Sequence, residues 1–222
     1  MARIAIIYYS STGSTWRMAE AAAEGARSVG AEVRVLKVPE LAPDSAIDSN
    51  QAWRAHLKQT RHVPTARPAD LEWADGFLFG TPTRFGLPAA QLKQFIDTLG
   101  GVWGAGKLQD KAAAAFTGAG NVHGGQESTL LALQNIFYHW GAIIVPVGYT
   151  HPALYAAGGN PYGASFTDPQ GKPLAEEQLG AARYQGERVA RFAQALVDGA
   201  PTLTPRPAGA GVDLSIPEGA TP

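Results

Sequence analysis

Cysteine is absent from the 222-residue chain, and this absence excludes a whole set of chemistries. Disulfides, thiolate nucleophiles, thiolate zinc sites and cysteine-held iron–sulfur clusters all require a residue that the chain does not have. Any redox reaction must therefore use a bound cofactor. We predict no metal site.

A basic surface is also missing, because 18 Lys and Arg stand against 19 Asp and Glu, a net charge of −1. A protein that binds duplex nucleic acid or an anionic membrane needs an excess of positive charge. The chain opens with Arg3 and a strand-like run, so we predict no signal peptide. We expect a cytoplasmic protein that binds neither nucleic acid nor a membrane.

Formal charge is scarce in the middle of the chain. Between Lys111 and Asp168 lie 56 residues with one formal charge, Glu127. Glycine, proline and polar residues interrupt this stretch, which excludes a transmembrane segment. We favour a subunit interface as the explanation, since a monomer has little use for so long an uncharged stretch. An ordinary core strand and helix with polar loops is the alternative.

Hydrophobic patterning predicts alternating strands and helices. After Arg3 the chain is continuously apolar to Tyr9, which is typical of a strand buried on both faces. The predicted strands are 3–9, 31–38, 76–80, 112–116 and 142–147. The first predicted helix ends at about Val29, with Ala19, Ala22, Ala23 and Ala26 on its packing face, and a short second helix lies around 49–58. The third has Leu92, Phe95, Ile96 and Leu99 on one face, and the fourth, over 126–140, has Leu130, Leu133 and Phe137. The last helix has Val189, Phe192, Ala193 and Leu196 on one face.

This order of elements predicts an α/β fold with a doubly wound, five-stranded parallel sheet. Residues 149–173 form a Gly/Pro/aromatic insertion after the fifth strand. We predict one domain over residues 1–200. The remainder, 201–222, is rich in Pro and Gly and is expected to be a flexible tail or to lie over a partner.

Ligands of such sheets bind beyond the carboxyl ends of the strands. Here those ends are residues 10–15, 81–86 and 117–125, which are small, polar and rich in glycine. They can therefore converge on one ligand.

The first of these loops has the composition of a phosphate site. It supplies hydroxyls, together with main-chain amides at a helix N-terminus, and these groups bind a phosphate dianion. It lacks the lysine of a Walker loop and the GxGxxG of a dinucleotide-binding turn. A plain N-cap at Ser14 is the alternative.

The other two loops suit a planar ligand. Residues 81–86 offer amides and an aromatic ring, and the small residues of 117–121 permit close approach of the backbone. An isoalloxazine ring needs donors along one edge and a wall against one face. Each loop taken alone is equally consistent with a plain turn.

Several motifs together resemble one family. They are IAIIYYSSTGSTWRMAEAAAEGA, FGTPTRFG, GGVWGAGKL, GAGNVHGGQES, HWGAIIVPVGYT, GNPYGAS and ARYQGERVA. Over residues 2 to about 198 the chain resembles the WrbA-type NAD(P)H:quinone oxidoreductases. The resemblance implies a flavodoxin-like fold, FMN as cofactor, NADH or NADPH as co-substrate, and a cytoplasmic homotetramer. It also implies two-electron, ping-pong hydride transfer to a quinone.

The resemblance also implies roles for individual residues. The implied cofactor-binding residues are Ser10, Ser11, Thr12, Gly13, Ser14, Thr15, Thr83, Arg84, Phe85, Thr117, Gly118, Ala119, Gly120, Asn121 and His139. His139 would reach the ring from a neighbouring subunit, and Trp103 would line the quinone and nicotinamide pocket. With Tyr149, which we expect to form a hydrogen bond in the pocket, they are the candidate catalytic residues.

Structural explanations stand beside these roles. His139 could pair with a helix dipole, Trp103 could belong to the core, and Tyr149 could merely pack. His123 is expected to be a loop residue rather than an acid. His56 and His62 lie in a charged segment and are expected to have no chemical role.

Two other functions remain open on the sequence alone. One is a non-enzymatic, flavodoxin-like electron carrier, although carriers usually present an acidic docking face. The other is a regulatory protein that binds a macromolecule through its tail, because fold does not fix function.

Overall fold

The computed structural model describes residues 1–168 and 173–199, and within them strands and helices alternate. The strands are β1 (Arg3–Tyr8), β2 (Glu32–Lys37), β3 (Gly76–Arg84), β4 (Leu87–Pro88), β5 (Ala112–Ala119), β6 (Ile143–Ile144) and β7 (Ser165–Thr167). The helices are α1 (Ser14–Ser28), α2 (Asp44–Asp48), α3 (Gln51–Gln59), α4 (Pro68–Trp73), α5 (Ala90–Asp97), α6 (Gly100–Gly104), α7 (Gln126–Trp140), α8 (Pro152–Ala156) and α9 (Glu176–Gly199). The predicted tail and residues 169–172 of the predicted insertion lie outside the described residues.

The core of the sheet has five parallel strands in the order β2-β1-β3-β5-β6. This confirms the predicted doubly wound α/β fold. Two short strands are added to it: β4 returns antiparallel to β3, and β7 pairs in parallel with β5. The sheet therefore has seven strands within the described residues, because the insertion and the second loop each contribute one.

Alternate residues of the central strands belong to two different cores. Ile4 and Ile6 pack under α1 and α9, whereas Ala5 and Ile7 face the cluster formed by α5 and α7. Helices thus cover both faces of the sheet, which is why β1 is apolar at successive positions. The predicted burial of this strand on both faces is confirmed.

Several strand boundaries differ from those predicted. β3 continues to Arg84 and β5 to Ala119, because the residues after their predicted ends still pair, as Thr81 does with Thr117. The predicted fifth strand shortens to β6. Beyond β6 the place beside β5 is taken by β7, where Ser165 pairs with Thr117.

The buried face of α9 is also displaced from its predicted position. Val189 and Ala193 are buried as expected, but Phe192 is 43% exposed and lies under the guanidinium of Arg188, 5.0 Å from the ring centroid. The line of closest contact between α1 and α9, the α1–α9 seam, instead passes through Gly186, where the two helices approach closely. An aromatic side chain has no room in so narrow a seam.

The segment between β2 and β3 is ordered by polar contacts. Asn50 caps α3 by accepting hydrogen bonds from two main-chain amides, which confirms the short predicted helix. Glu40 accepts hydrogen bonds from Tyr9, Trp53 and Gln91. Burial alone would raise the pKa of Glu40, but these bonds, with one from the Ala42 amide, outweigh it and lower the pKa.

The uncharged stretch divides into a buried and an exposed part. Every residue of β5 is buried, as an ordinary core strand would be. Leu131, Tyr138, Tyr149 and Tyr155 are nevertheless exposed. The core thus accounts for only part of the stretch, and apolar surface remains for the predicted interface.

The helices in the described part of the chain do not include one with both the length and the apolar character needed to cross a bilayer.

Candidate functional site

The carboxyl ends of β1, β3 and β5 enclose one cavity of about 100 Å³. Its lining combines hydroxyl-bearing residues with small ones. The lining residues are Ser10, Ser11, Thr12, Ser14, Thr15, Pro82, Thr83, Arg84, Gly118, Ala119, Gly120, Phe166 and Asp168. The predicted convergence of the three segments is confirmed.

The turn after β1 presents its backbone to this cavity. Gly13 is the N-cap of α1 and has φ of 106°, a conformation that favours glycine. The Ser10 hydroxyl accepts a hydrogen bond from the Gly13 amide at 3.0 Å and closes the turn. Ser14 is the first helical residue, so the alternative of a plain Ser14 N-cap is wrong.

The start of α1 has the properties of an anion site. No side chain in the described part of the chain caps this helix, and its first turn contains no acidic residue. The first amides of a helix lack partners within the helix and carry the positive end of its dipole. Because hydroxyls of the same turn line the cavity, the residues present fit a phosphate monoester.

Buried threonines hold the second and third segments together. The Thr117 hydroxyl donates to the Thr81 carbonyl at 2.6 Å, and the Thr129 hydroxyl donates to the Thr83 hydroxyl at the same distance. The Thr81 hydroxyl also accepts from the Ala89 amide at 3.0 Å. These bonds fix the strand ends that carry Thr83 and Arg84.

Phe85 adopts an unusual backbone conformation at the tip of the β3–β4 hairpin. Its φ is 52°, in the left-handed region that non-glycine residues rarely occupy, and its side chain is fully exposed. Such strain is typical of functional sites. Its ring is thus available to a ligand or to another chain.

The third segment depends on small residues. A Cβ on Gly118 would lie 2.0 Å from the ring of Phe166, which covers the end of β5. Phe166 and Asp168, both from the insertion, complete the cavity, and Asp168 donates its main-chain amide to the Ala119 carbonyl at 2.6 Å. Arg84 and Asp168 are the charged residues of the lining.

Most of the predicted cofactor-binding residues line this cavity, but five do not. Gly13 shapes the turn, and Thr117 is fully buried beneath the site. The Asn121 carbonyl accepts a hydrogen bond from the Gln126 side chain at 2.8 Å, and Phe85 points outward. The fifth, His139, lies elsewhere in the fold.

His139 and Trp103 lie together at the opposite edge of the sheet. The Trp103 indole donates to the His139 carbonyl at 3.1 Å. α7 starts next to the third segment and carries His139 in its last turn, roughly 20 Å away at 1.5 Å per residue. The structure therefore does not bring either residue to the cavity of its own chain.

Tyr149 lies in a second cavity of about 440 Å³, next to the first. Its ring stacks on Tyr155 with the centroids 5.6 Å apart. His123 and Glu127, on the other wall, come from the third loop and the start of α7. Phe166 lines both cavities, so this second space is continuous with the surroundings of the first.

The sequence patterns did not single out the burial of His56. It lies on α3, inside the predicted short helix, and is only 4% exposed, and its lack of a chemical role stays a prediction. Burial, with a smaller contribution from Lys37, lowers the pKa of His56 to about 4. The signal was present, because Trp53, His56, Leu57 and Thr60 have the spacing of an amphipathic helix.

Comparisons with known proteins agree with this geometry. The model of a family described as NADPH-dependent FMN reductase matches residues 2–153. A protein of Deinococcus radiodurans named NAD(P)H dehydrogenase (quinone) is 50% identical over 186 residues, which are 84% of this chain and 92% of that protein. A protein of the same name from Aromatoleum aromaticum is 42% identical over 89% of this chain and 98% of its own length.

A solved structure is similar over nearly the same length. It is a flavodoxin, WrbA-like protein from Agrobacterium tumefaciens, with a TM-score of 0.61 and 28% identity. The match covers 88% of this chain and 99% of that one. The chain therefore belongs to the FMN reductase family, and its predicted resemblance to WrbA-type NAD(P)H:quinone oxidoreductases is confirmed.

Proposed function

We propose that the protein is an FMN-dependent NAD(P)H:quinone oxidoreductase. The observation that carries the proposal is the single cavity at which an uncapped helix N-terminus, a hydroxyl-rich turn and two small-residue strand ends meet. We further propose that residues 1–200 form one FMN-binding domain. The cytoplasmic location expected from the sequence belongs to the same proposal.

Different segments of the cavity would bind different parts of the cofactor. Hydroxyls and amides of residues 10–15 would hold the phosphate. Thr83 and Arg84 would contact the ribityl chain and the ring, and the exposed Phe85 would meet the ring from outside the cavity. The small residues 118–120 would lie along the ring edge. When bound, FMN supplies the hydride chemistry that links NAD(P)H to a quinone.

The protein contributes orientation and exclusion of water rather than a dedicated acid. Among the described residues that line the cavity there is no histidine, and Arg84 is the basic one. Thr83 and Thr117 are held by buried hydrogen bonds, so the strand ends cannot readily rearrange when substrates exchange. One pocket that serves two substrates in turn implies ping-pong kinetics.

A neighbouring subunit would complete the pocket. His139 and Trp103 lie too far from the cavity of their own chain, whereas a homotetramer could place them over the ring of another. Exposed aromatic residues such as Phe85, Tyr138 and Tyr149 supply apolar area for such contacts. Light scattering is expected to give about four times the 23.3 kDa chain mass, and a monomer would contradict this part of the proposal.

Steady-state kinetics of the FMN-loaded protein test the activity. We expect benzoquinone reduction that requires FMN, oxidises one NADH or NADPH per quinone, and gives parallel double-reciprocal plots. A two-electron reaction leaves cytochrome c unreduced when the quinone is omitted. Absence of FMN-dependent quinone reduction, or rapid one-electron reduction of cytochrome c, would contradict the proposal and favour an electron carrier.

A further inference from the structure

Helix α3 packs against the back of the turn that forms the phosphate site. A Cβ built on Gly13 would lie 3.4 Å from Nδ1 of His56, so the imidazole lies directly behind the backbone of the turn. The Trp16 ring, on the first turn of α1, lies 5.7 Å from the same imidazole. His56 is thus in contact with the part of the chain that would hold the phosphate.

Two buried polar atoms next to this contact have no hydrogen-bond partner among residues 1–168 and 173–199. They are His56 Nδ1 and the hydroxyl of Tyr8, the last residue of β1. Both residues line a cavity of about 160 Å³ behind the turn, which also has Lys37 and Glu40 in its wall. A buried polar atom is rarely left unpaired, and a space of this volume lined by both residues is large enough for water.

Ser10 connects this rear cavity to the phosphate site. It lines both cavities, and its hydroxyl accepts the hydrogen bond that closes the turn. Side chains or water in the rear cavity can therefore change the position of the Ser10 hydroxyl and the Gly13 amide. No residue of α3 lines the front cavity, so any influence of His56 must pass through the turn.

His56 does not form an ion pair with a bound phosphate, because its imidazole is uncharged. Its lowered pKa leaves the imidazole neutral near pH 7. Lys37, the nearest cation of the rear cavity, donates its ammonium to the Thr60 carbonyl at 2.6 Å, just beyond the end of α3. His56 thus acts on the turn through contact and hydrogen bonding, not by neutralising a phosphate.

We propose that His56 is a positioning residue for the FMN phosphate. Its imidazole, with water shared between Nδ1 and the Tyr8 hydroxyl, supports the turn of Ser10 and Gly13 from behind. The segment between β2 and β3, to which sequence analysis gave no function, thereby becomes part of the cofactor site. The inference rests on the proposed phosphate site.

Equilibrium binding of FMN and of riboflavin, which lacks the phosphate, tests this role. Apo-protein would be titrated with each flavin and binding followed by fluorescence quenching. We expect His56→Phe and Tyr8→Phe each to weaken FMN binding by about tenfold, with riboflavin binding unchanged. His56→Asn, which keeps a polar atom near the position of Nδ1, is expected to restore most of the loss.

His62→Gln is the matched control, because His62 is an exposed histidine of the same segment and should leave both affinities unchanged. Equal losses for FMN and riboflavin would show that His56 merely fills space, and unchanged FMN binding would exclude any role; either result overturns the inference. Tyr8→Phe removes one oxygen atom, so it serves if His56→Phe does not fold. If the wild-type protein bound FMN no more tightly than riboflavin, the phosphate site itself would be wrong, and the inference with it.

Discussion

Replacing Gly25 or Gly186 by alanine is expected to lower the free energy of unfolding of the protein strongly. A Cβ on Gly25 would lie 1.8 Å from the Arg183 carbonyl oxygen, and one on Gly186 would lie 1.9 Å from the Ala22 carbonyl oxygen. Both obstacles are main chain, so α1 and α9 must separate. We expect a loss of about 3 kcal/mol or more, which corresponds to roughly 6–12 °C in Tm.

Thermal unfolding of the two variants beside Gly101→Ala measures this effect. Gly101 is also helical, but a Cβ there would have nothing within 4 Å. The control should change stability little or raise it slightly, since alanine favours helix. Wild-type stability of Gly25→Ala or Gly186→Ala would contradict the close approach of α1 and α9.

Aspartate at Ser14 is expected to abolish most FMN binding while it stabilises the fold. Ser14 is the first residue of α1 and lines the cavity. A carboxylate at a helix N-terminus is favourable by about 0.3–1 kcal/mol, so Ser14→Asp should not unfold the protein. The same carboxylate would lie beside a phosphate dianion, and their repulsion should weaken FMN binding by about 100-fold or more.

Ser14→Asn is the control that separates charge from size. It has the shape of aspartate without the charge, so we expect it to lose much less FMN affinity. Riboflavin binding should be nearly the same in both variants, because riboflavin carries no phosphate. Equal FMN affinities for the aspartate and asparagine variants would place the phosphate elsewhere.

The buried parts of the fold were predictable because their patterns are local. The apolar run of β1 and the alanines of α1 each determine their own burial, and both predictions are confirmed. The convergence of the strand-end loops followed from the geometry of parallel sheets. Where a prediction failed, the cause was tertiary: Phe192 satisfies a helical period but lies off the narrow α1–α9 seam.

The candidate site was predicted in part for the same reason. Residues of the first turn were found from their composition, whereas Phe166 and Asp168 join the cavity through β7, a strand of only three residues. The burial of His56 had a local signal in the spacing of α3, but its contact with the Gly13 turn, more than forty positions away in the chain, had none. His139 and Trp103 lie away from the cavity of their own chain, and no pattern within one chain specifies how two chains would meet.

A crystal structure of the protein with FMN bound tests the central claim most directly, through the position of the phosphorus atom. We expect it in the cavity at the start of α1, with phosphate oxygens within hydrogen-bond distance of hydroxyls and amides of residues 10–15. A phosphate located anywhere else, with the flavin ring distant from Thr83 and Gly118, would contradict the proposed site.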